Sequence, residues 1–183
     1  VANHTGNSVS IIDTATNSVL ATVPVGNGPR SPVANSGLGK VYVPNYNDAS
    51  VSVIDTLTRT VTKTIPVGSG PQYAAVDAAH DKVYVNNVAD RTISVIDSAT
   101  DSVIKTLPSG AGSDDNFGNV NHAYGRYYLA NSVDNTVTIV DTDTDTVAGT
   151  VTVGTKPIQI QTDLNGGNVY VVNQGSHSVS VLD

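Results

Sequence analysis

The sequence predicts an all-β fold assembled from repeated four-stranded units. Three observations carry this reading: a composition weighted toward β-branched residues, a segment that returns about every 42 residues, and turn residues that divide each copy into four short strands. In the composition, all 16 acidic residues are Asp, and Glu, Met, Cys and Trp are absent. Val is the commonest apolar residue, Thr and Ser are abundant, and the strong helix formers are scarce, which favours strands over helices. A chain of 183 residues is long enough to bury a sizeable core within one domain.

The repeat is plain by inspection. VYVPNYNDASVSVIDTLTRTVTKTIPVG at 41–68 returns as VYVNNVADRTISVIDSATDSVIKTLPSG at 83–110 and as YYLANSVDNTVTIVDTDTDTVAGTVTVG at 127–154. The chain opens inside one copy and closes inside another. An Asn marks each copy at Asn3, Asn45, Asn87, Asn131 and Asn173, and an Asp follows at Asp13, Asp55, Asp97, Asp141 and Asp183. Both series step by 42, 42, 44 and 42, so two markers keep one register along the whole chain.

Within the third period the expected strands are 71–79, 82–87, 92–97 and 101–107. Gly37 with Gly39, His80-Asp81, Gly125 and Asn165-Gly166-Gly167 turn the first strand into the second. Between the third and fourth strands stands Asp-Thr/Ser-x-Thr, as in Asp55-Thr56-Leu57-Thr58, whose side chains bond backbone N–H groups two residues on. Inner strands should read apolar or small, as Ala74-Ala75-Val76 does. The outer strand should alternate, with Val61 and Ile65 on one face and Thr62 and Thr64 on the other. Pro24, Pro66 and Pro108 come late in that strand, where an edge tolerates a missing donor. Four strands per 42 residues is the spacing of β-propeller blades. The expected architecture is three complete and two partial blades, with boundaries near 28/29, 70/71, 114/115 and 156/157. It reads as one segment, 1–183, of a larger propeller or of a ring completed by something outside this sequence.

Tyr42-Val43-Pro44-Asn45, Tyr84-Val85-Asn86-Asn87, Tyr128-Leu129-Ala130-Asn131 and Tyr170-Val171-Val172-Asn173 resemble the YVTN motif. The Ser/Thr-Val-Ser-Val-Ile-Asp and Thr-Ile-x-Val-Gly-x-x-Pro segments resemble the rest of that repeat. The chain is therefore similar to the YVTN β-propeller family over essentially its whole length. The resemblance implies kinship with archaeal surface-layer propellers and with secreted or periplasmic bacterial ones. It specifies fold and leaves function open, because propellers host binding, scaffolding and catalysis alike.

The net charge of −7 and a pI near 4.7 argue against nucleic acid and anionic membrane as partners. No apolar run approaches the length of a membrane span. Without Cys there is no disulfide scaffold, thiol nucleophile or thiolate metal site. The missing initial Met marks a processed or trimmed chain. An extracellular, cell-surface or periplasmic setting, with a protein partner or self-association, fits the acidic Thr/Ser/Asn-rich surface.

In a propeller, the loops leading from each fourth strand to the next first strand share a face with the loops between second and third strands. That face offers Arg30, Gln72, Tyr73, Asp114, Asp115, Asn116, Phe117, Ile158 and Gln159, with Asn3, His4, the 46–48 stretch, Asn86 with Asn87, the 131–134 stretch and Asn173 behind them. The recurring Asn reads as a turn cap. The segment from Gly110 to Tyr124 departs furthest from the repeat: it holds the two extra residues of the 44-residue step and the only Phe. Its loop 111–117 is the expected contact for any specific ligand or partner. Asp141-Thr142-Asp143-Thr144-Asp145 alternates carboxylates as calcium loops do, but it lacks the turn Gly and the downstream Glu; it reads as a solvated turn, with calcium as the weaker alternative. His4, His80, His122 and His177 occupy different repeat positions, and spacing does not bring them into one coordination shell. No catalytic, cofactor or metal residues are assigned, and no nucleophile elbow, HExxH or phosphate loop is present. The expectation is a non-enzymatic binding scaffold. The rival is a propeller hydrolase of the lactonase type, with a metal on the axis.

Overall fold

The computed structural model describes residues 1–112, 117–163 and 167–183. Its strands form five antiparallel meanders, one per repeat. The first sheet holds β1 (Ala2–Asn3), β2 (Ser8–Asp13) and β3 (Ser18–Pro24); the second holds β4 (Val33–Asn35), β5 (Lys40–Asn45), β6 (Ser50–Asp55) and β7 (Thr60–Pro66). The third comprises β8 (Pro71–Asp77), β9 (Lys82–Asn87), β10 (Thr92–Asp97) and β11 (Ser102–Pro108). The fourth comprises β12 (Gly118–Asn121), β13 (Arg126–Asn131), β14 (Thr136–Asp141) and β15 (Thr146–Thr152). The fifth has β16 (Pro157–Thr162), β17 (Val169–Asn173) and β18 (Ser178–Leu182). Three sheets are thus four-stranded and two three-stranded, as the repeat count implies. Among the described residues the only helix is a 3-10 turn at Tyr46–Asp48.

The first strands β4, β8, β12 and β16 lie side by side at the axis. Each sheet has a forward face toward the next sheet and a backward face toward the one before. The core is divided accordingly into four clusters, one per junction. Between the second and third sheets, Tyr42, Val51, Val53 and Ile65 of the forward face meet Ala74, Val83, Val85 and Ile96 of the backward face. The same positions recur at the other junctions: Val9 and Val23 against Val43 and Ile54, Tyr84, Val95 and Leu107 against Tyr127, Leu129 and Val140, and Val137 against Val169 and Val171.

The outer strands do not alternate as the sequence suggests. Val53 pairs with Lys63 and Ile54 with Val61, so Thr62 is an extra residue, a β-bulge. The slip recurs at Leu20, Ile104 and Ala148. It shifts the side-chain period by one, so Val61 and Ile65 fall on opposite faces: Val61 packs back against the first sheet and Ile65 forward against the third. One outer strand thereby serves two cores. The three prolines end β3, β7 and β11, opposite Ser8, Ser50 and Thr92.

Repeated polar residues bind the sheets internally and to each other. The marker Asn does not cap a turn. Its amide reaches across to the next strand: Asn45 Nδ2 donates to Ser50 Oγ at 3.0 Å and to Ser52 Oγ at 2.9 Å, and Asn3, Asn87, Asn131 and Asn173 repeat the pattern. The preceding sheet's Gly lies against this amide; a Cβ on Gly110 would stand 2.5 Å from Asn131 Cγ. The hairpin Asp behaves as expected. Asp97 Oδ1 accepts from the backbone of Ala99 and Thr100 and from Thr100 Oγ1, and Asp13, Asp55 and Asp141 close their turns likewise. The backbone bond from Thr100 contributes most to holding Asp97 below the usual carboxylate range.

Candidate functional site

The loop face starts from shared anchors. Asp48 accepts the Asn27 N–H at 2.7 Å, Asp90 the Ser69 N–H at 2.7 Å and Asp134 the Ala111 N–H at 2.6 Å. The divergent loop therefore leaves from the same support as its regular counterparts. Asp114, Asp115 and Asn116 lie outside the described residues, and with them most of the expected contact loop.

The remaining expected residues form two groupings. Arg30 lies over the Tyr46 ring, 4.9 Å from its centroid, which joins two residues that the sequence reading kept in separate tiers. Phe117 meets Tyr73 edge to face with centroids 5.1 Å apart, linking the third and fourth sheets. Between Pro71 and Tyr73 the pairing with β9 slips, which makes Gln72 the bulged residue and turns its side chain inward. Gln72 is buried, and its Oε1 has no hydrogen-bond partner among the described residues. Burial also raises the Tyr73 hydroxyl above its ordinary pKa. Ile158 and Gln159 mark the matching bulge of β16, and the Ile158 carbonyl accepts the Phe117 N–H at 3.1 Å.

From Tyr73 a cavity of about 400 Å³ runs along the first strands, past Ala75, Val76 and Val120, toward Asn35 and His122. At that end stands a cluster that the sequence reading missed. Asp77 is fully buried at the end of β8. Its Oδ2 lies 2.8 Å from His80 Nδ1 and its Oδ1 3.2 Å from His122 Nδ1, and His80 Nε2 is 2.8 Å from Asp143 Oδ1. Burial pushes the Asp77 carboxyl up, but the hydrogen bonds with His80 and His122 outweigh it and hold the group below its ordinary pKa. The hydrogen bond to Asp77 raises His80 despite some desolvation.

Two histidines at unlike repeat positions thus converge on one carboxylate, a hydrogen-bonded cluster that spacing along the chain does not reveal. The reason is the interleaving of neighbouring sheets. His122 follows Asn121, which is the fourth sheet's counterpart of Asp77, and the fourth sheet brings it against the third. His4 and His177 belong to the first and fifth sheets.

The alternating Asp run diverges. Asp141 pairs with Arg126 at 2.7 Å, Asp143 with His80, and Asp145 with Lys82 at 2.8 Å and with the Tyr84 hydroxyl at 2.9 Å. Each carboxylate has its own partner and none converges with the others. Among the described residues no group of three or more His, Cys, Asp or Glu is arranged to hold a metal ion, and no helix is long and apolar enough to cross a membrane.

No protein-family model matches the chain, and no curated protein does. Solved structures do. The chain is similar to the dihydro-heme d1 dehydrogenase NirN in complex with DHE, at a TM-score of 0.80 and 14% identity, over 98% of this chain and 40% of that one. It is similar to the WD40 β-propeller domain of Doa1 at 0.75 and 15%, over 98% and 58%. Kuenenia stuttgartiensis hydrazine synthase aligns at 0.57 and 14%, over 99% and 90%. The chain thus spans less than two thirds of the length of these two neighbours, and most of the third. At these identities the likeness is one of fold, and with the five repeated meanders it makes this chain a β-propeller.

Proposed function

We propose that the chain is a non-enzymatic, secreted or cell-surface propeller of the YVTN type, and that it presents a rigid surface to a protein partner. The observation that carries this reading is the Tyr73–Phe117 pair beside the buried Gln72. It stands where one repeat departs from the others, in a chain that is only 5% aromatic. Identical repeats answer shared structural needs, and a partner is selected where one repeat differs. Aromatic and Arg side chains anchored on a stiff sheet suit such a contact, because they bring large area at small entropic cost. The YVTN resemblance and the acidic, Cys-free surface support the extracellular setting.

A lactonase-type hydrolase needs donors from several sheets converging on the axis. The nearest approach to that arrangement is the Asp77 cluster, whose carboxylates and imidazoles bond each other.

A photo-crosslinking residue at position 117, exposed to the proteins of the native cell envelope, should yield one discrete adduct that disappears with Tyr73→Ala. The same adduct pattern from a residue placed at Lys63, on the outer strand, overturns the proposed face. Turnover of a lactone panel above blank with added calcium, zinc or manganese overturns the non-enzymatic reading.

A further inference from the structure

We infer that the cavity along the first strands takes a small organic ammonium ion with an apolar body, and that His122, held by Asp77, accepts its N–H. Every residue that lines the cavity belongs to the second, third or fourth sheet, so its walls do not depend on where the chain begins or ends. Its volume of about 400 Å³ lies within the range of small-molecule sites.

Ser36, Ala78 and His122 hold one repeat position, and all three line the cavity, so that position faces the axis in each of these sheets. Among them only the fourth sheet puts an imidazole there. Asp77 does not need this imidazole for its own satisfaction. Its Oδ1 already accepts the Ala79 N–H at 3.1 Å, and its Oδ2 meets His80 Nδ1 at 2.8 Å. What the contact with His122 does is orient a side chain that is 45% exposed. A ring nitrogen that faces a buried carboxylate carries the proton, so Nδ1 donates and Nε2 keeps its lone pair. His122 Nε2 has no partner among the described residues. Asn35 lines the same end; its Nδ2 donates to Ser98 Oγ at 3.2 Å, so the amide oxygen is the group it can offer. This end of the cavity thus presents acceptors and selects a donor.

The surrounding charge selects a cation among donors. Asp77 and Asp143 bracket the single His80, so with His122 neutral the series Asp143–His80–Asp77–His122 is negative whether His80 is protonated or not. The nearby cations have their own partners: Lys82 pairs with Asp145, Lys40 with Asp101 and Arg126 with Asp141. The sister positions of Asp77 are the neutral Asn35 and Asn121, which confines this field to one place on the axis. A buried carboxylate behind a neutral acceptor favours an ammonium over a hydroxyl. Farther along, Ala75, Val76 and Val120 supply apolar wall for the rest of the ligand. This site is independent of the loop face proposed above.

The test is an amide NMR titration of the 183-residue chain with phenethylamine to about 20 mM, the range of a weak small-ligand site. Two analogues accompany it. 2-Phenylethanol has the same shape and an O–H but no charge, and trimethyl(2-phenylethyl)ammonium keeps the charge but has no N–H. Saturable shifts should centre on Ala75, Val76 and Val120. Each analogue should bind about tenfold more weakly or worse, the worth of one charge-assisted hydrogen bond. His122→Ala installs the residue that its third-sheet counterpart Ala78 already carries, and it should lose the same factor. Asp77→Asn, which copies Asn35 and Asn121, should do so too; if it fails to fold, His122→Ala decides alone. A parent without saturable shifts overturns the inference, as do shifts scattered over exposed carboxylates, the response of an acidic surface. Binding unchanged in a folded variant, or an analogue that binds as tightly as the amine, overturns it as well.

Discussion

The junction between the second and third sheets and the junction between the third and fourth share one latch and differ in one position. In both, a Lys and a Tyr of the second strand reach an Asp in the next sheet's hairpin: Lys40 and Tyr42 to Asp101, Lys82 and Tyr84 to Asp145. Burial, reinforced by the hydrogen bond to Asp, raises both tyrosines well above the ordinary phenol range. At the end of the first strand they part. Asn35 donates to Ser98 Oγ at 3.2 Å, a neutral bond, whereas Asp77 holds two imidazoles. The repeated latch explains cohesion, and the single departure explains why one junction carries titratable chemistry.

The largest effect should come from removing the departing residue. Asp77→Ala leaves two imidazoles facing a void and should cost about 3 kcal/mol, against about 1 kcal/mol for Asn35→Ala. Equal losses by urea unfolding would mean that the two junctions are energetically alike. Next come the latches: Tyr42→Phe and Tyr84→Phe each remove a buried bond to a carboxylate and should cost about 1.5 kcal/mol apiece. A clear inequality would show that the two latches are less alike than their geometry.

Only the second of these junctions should respond to mild changes in pH. His80 has a raised folded pKa, so its stabilisation is present below the unfolded value near 6.5 and fades as pH climbs through the folded one. Asp77 has a lowered folded pKa, so its stabilisation is present above the unfolded value near 3.8 and fades as pH falls through the folded one. The difference in melting temperature between the parent and Asp77→Asn should therefore peak between about pH 4 and pH 6.5. A flat difference would remove the charge from the explanation. Smallest is Asp97→Ala, which loses an exposed turn cap and should cost about 1 kcal/mol, leaving oligomeric state and partner crosslinking unchanged.

The sheets, their strand count and the hairpin Asp were legible because each depends on contacts within one 42-residue copy, and the copies repeat the pattern. The bulge at Thr62 was not, since alternation is read along one strand and a bulge exists only in the register of two. Asp77 was passed over because it fits a turn position that Asn35 and Asn121 also fill. What distinguishes it is His122, 45 residues away and brought close only by the stacking of sheets. The marker Asn was assigned to the right category and the wrong bond: its recurrence announced a structural role, but its hydroxyl partners lie across the ladder. Of the candidate loop face, the sequence placed Tyr73 and Phe117 on one side of the sheets, but their ring contact was not legible, and the inward turn of Gln72 required the slip in β8.

The division of every core into a forward and a backward half has a consequence for inheritance. Excising residues 46–87 would join Asn45 to Val88, uniting two strands of the second sheet with two of the third at equivalent positions. Both faces of the hybrid sheet would keep the apolar pattern that their neighbours already accept. Duplicating the same stretch would insert one more sheet between faces of matching type. Recombination between misaligned copies of such a gene can lengthen or shorten the arc by whole periods while each intermediate still folds. A slip by any other number of residues breaks the register of strand and turn at once. Blade number is in this sense a heritable count, free to drift in units of one repeat.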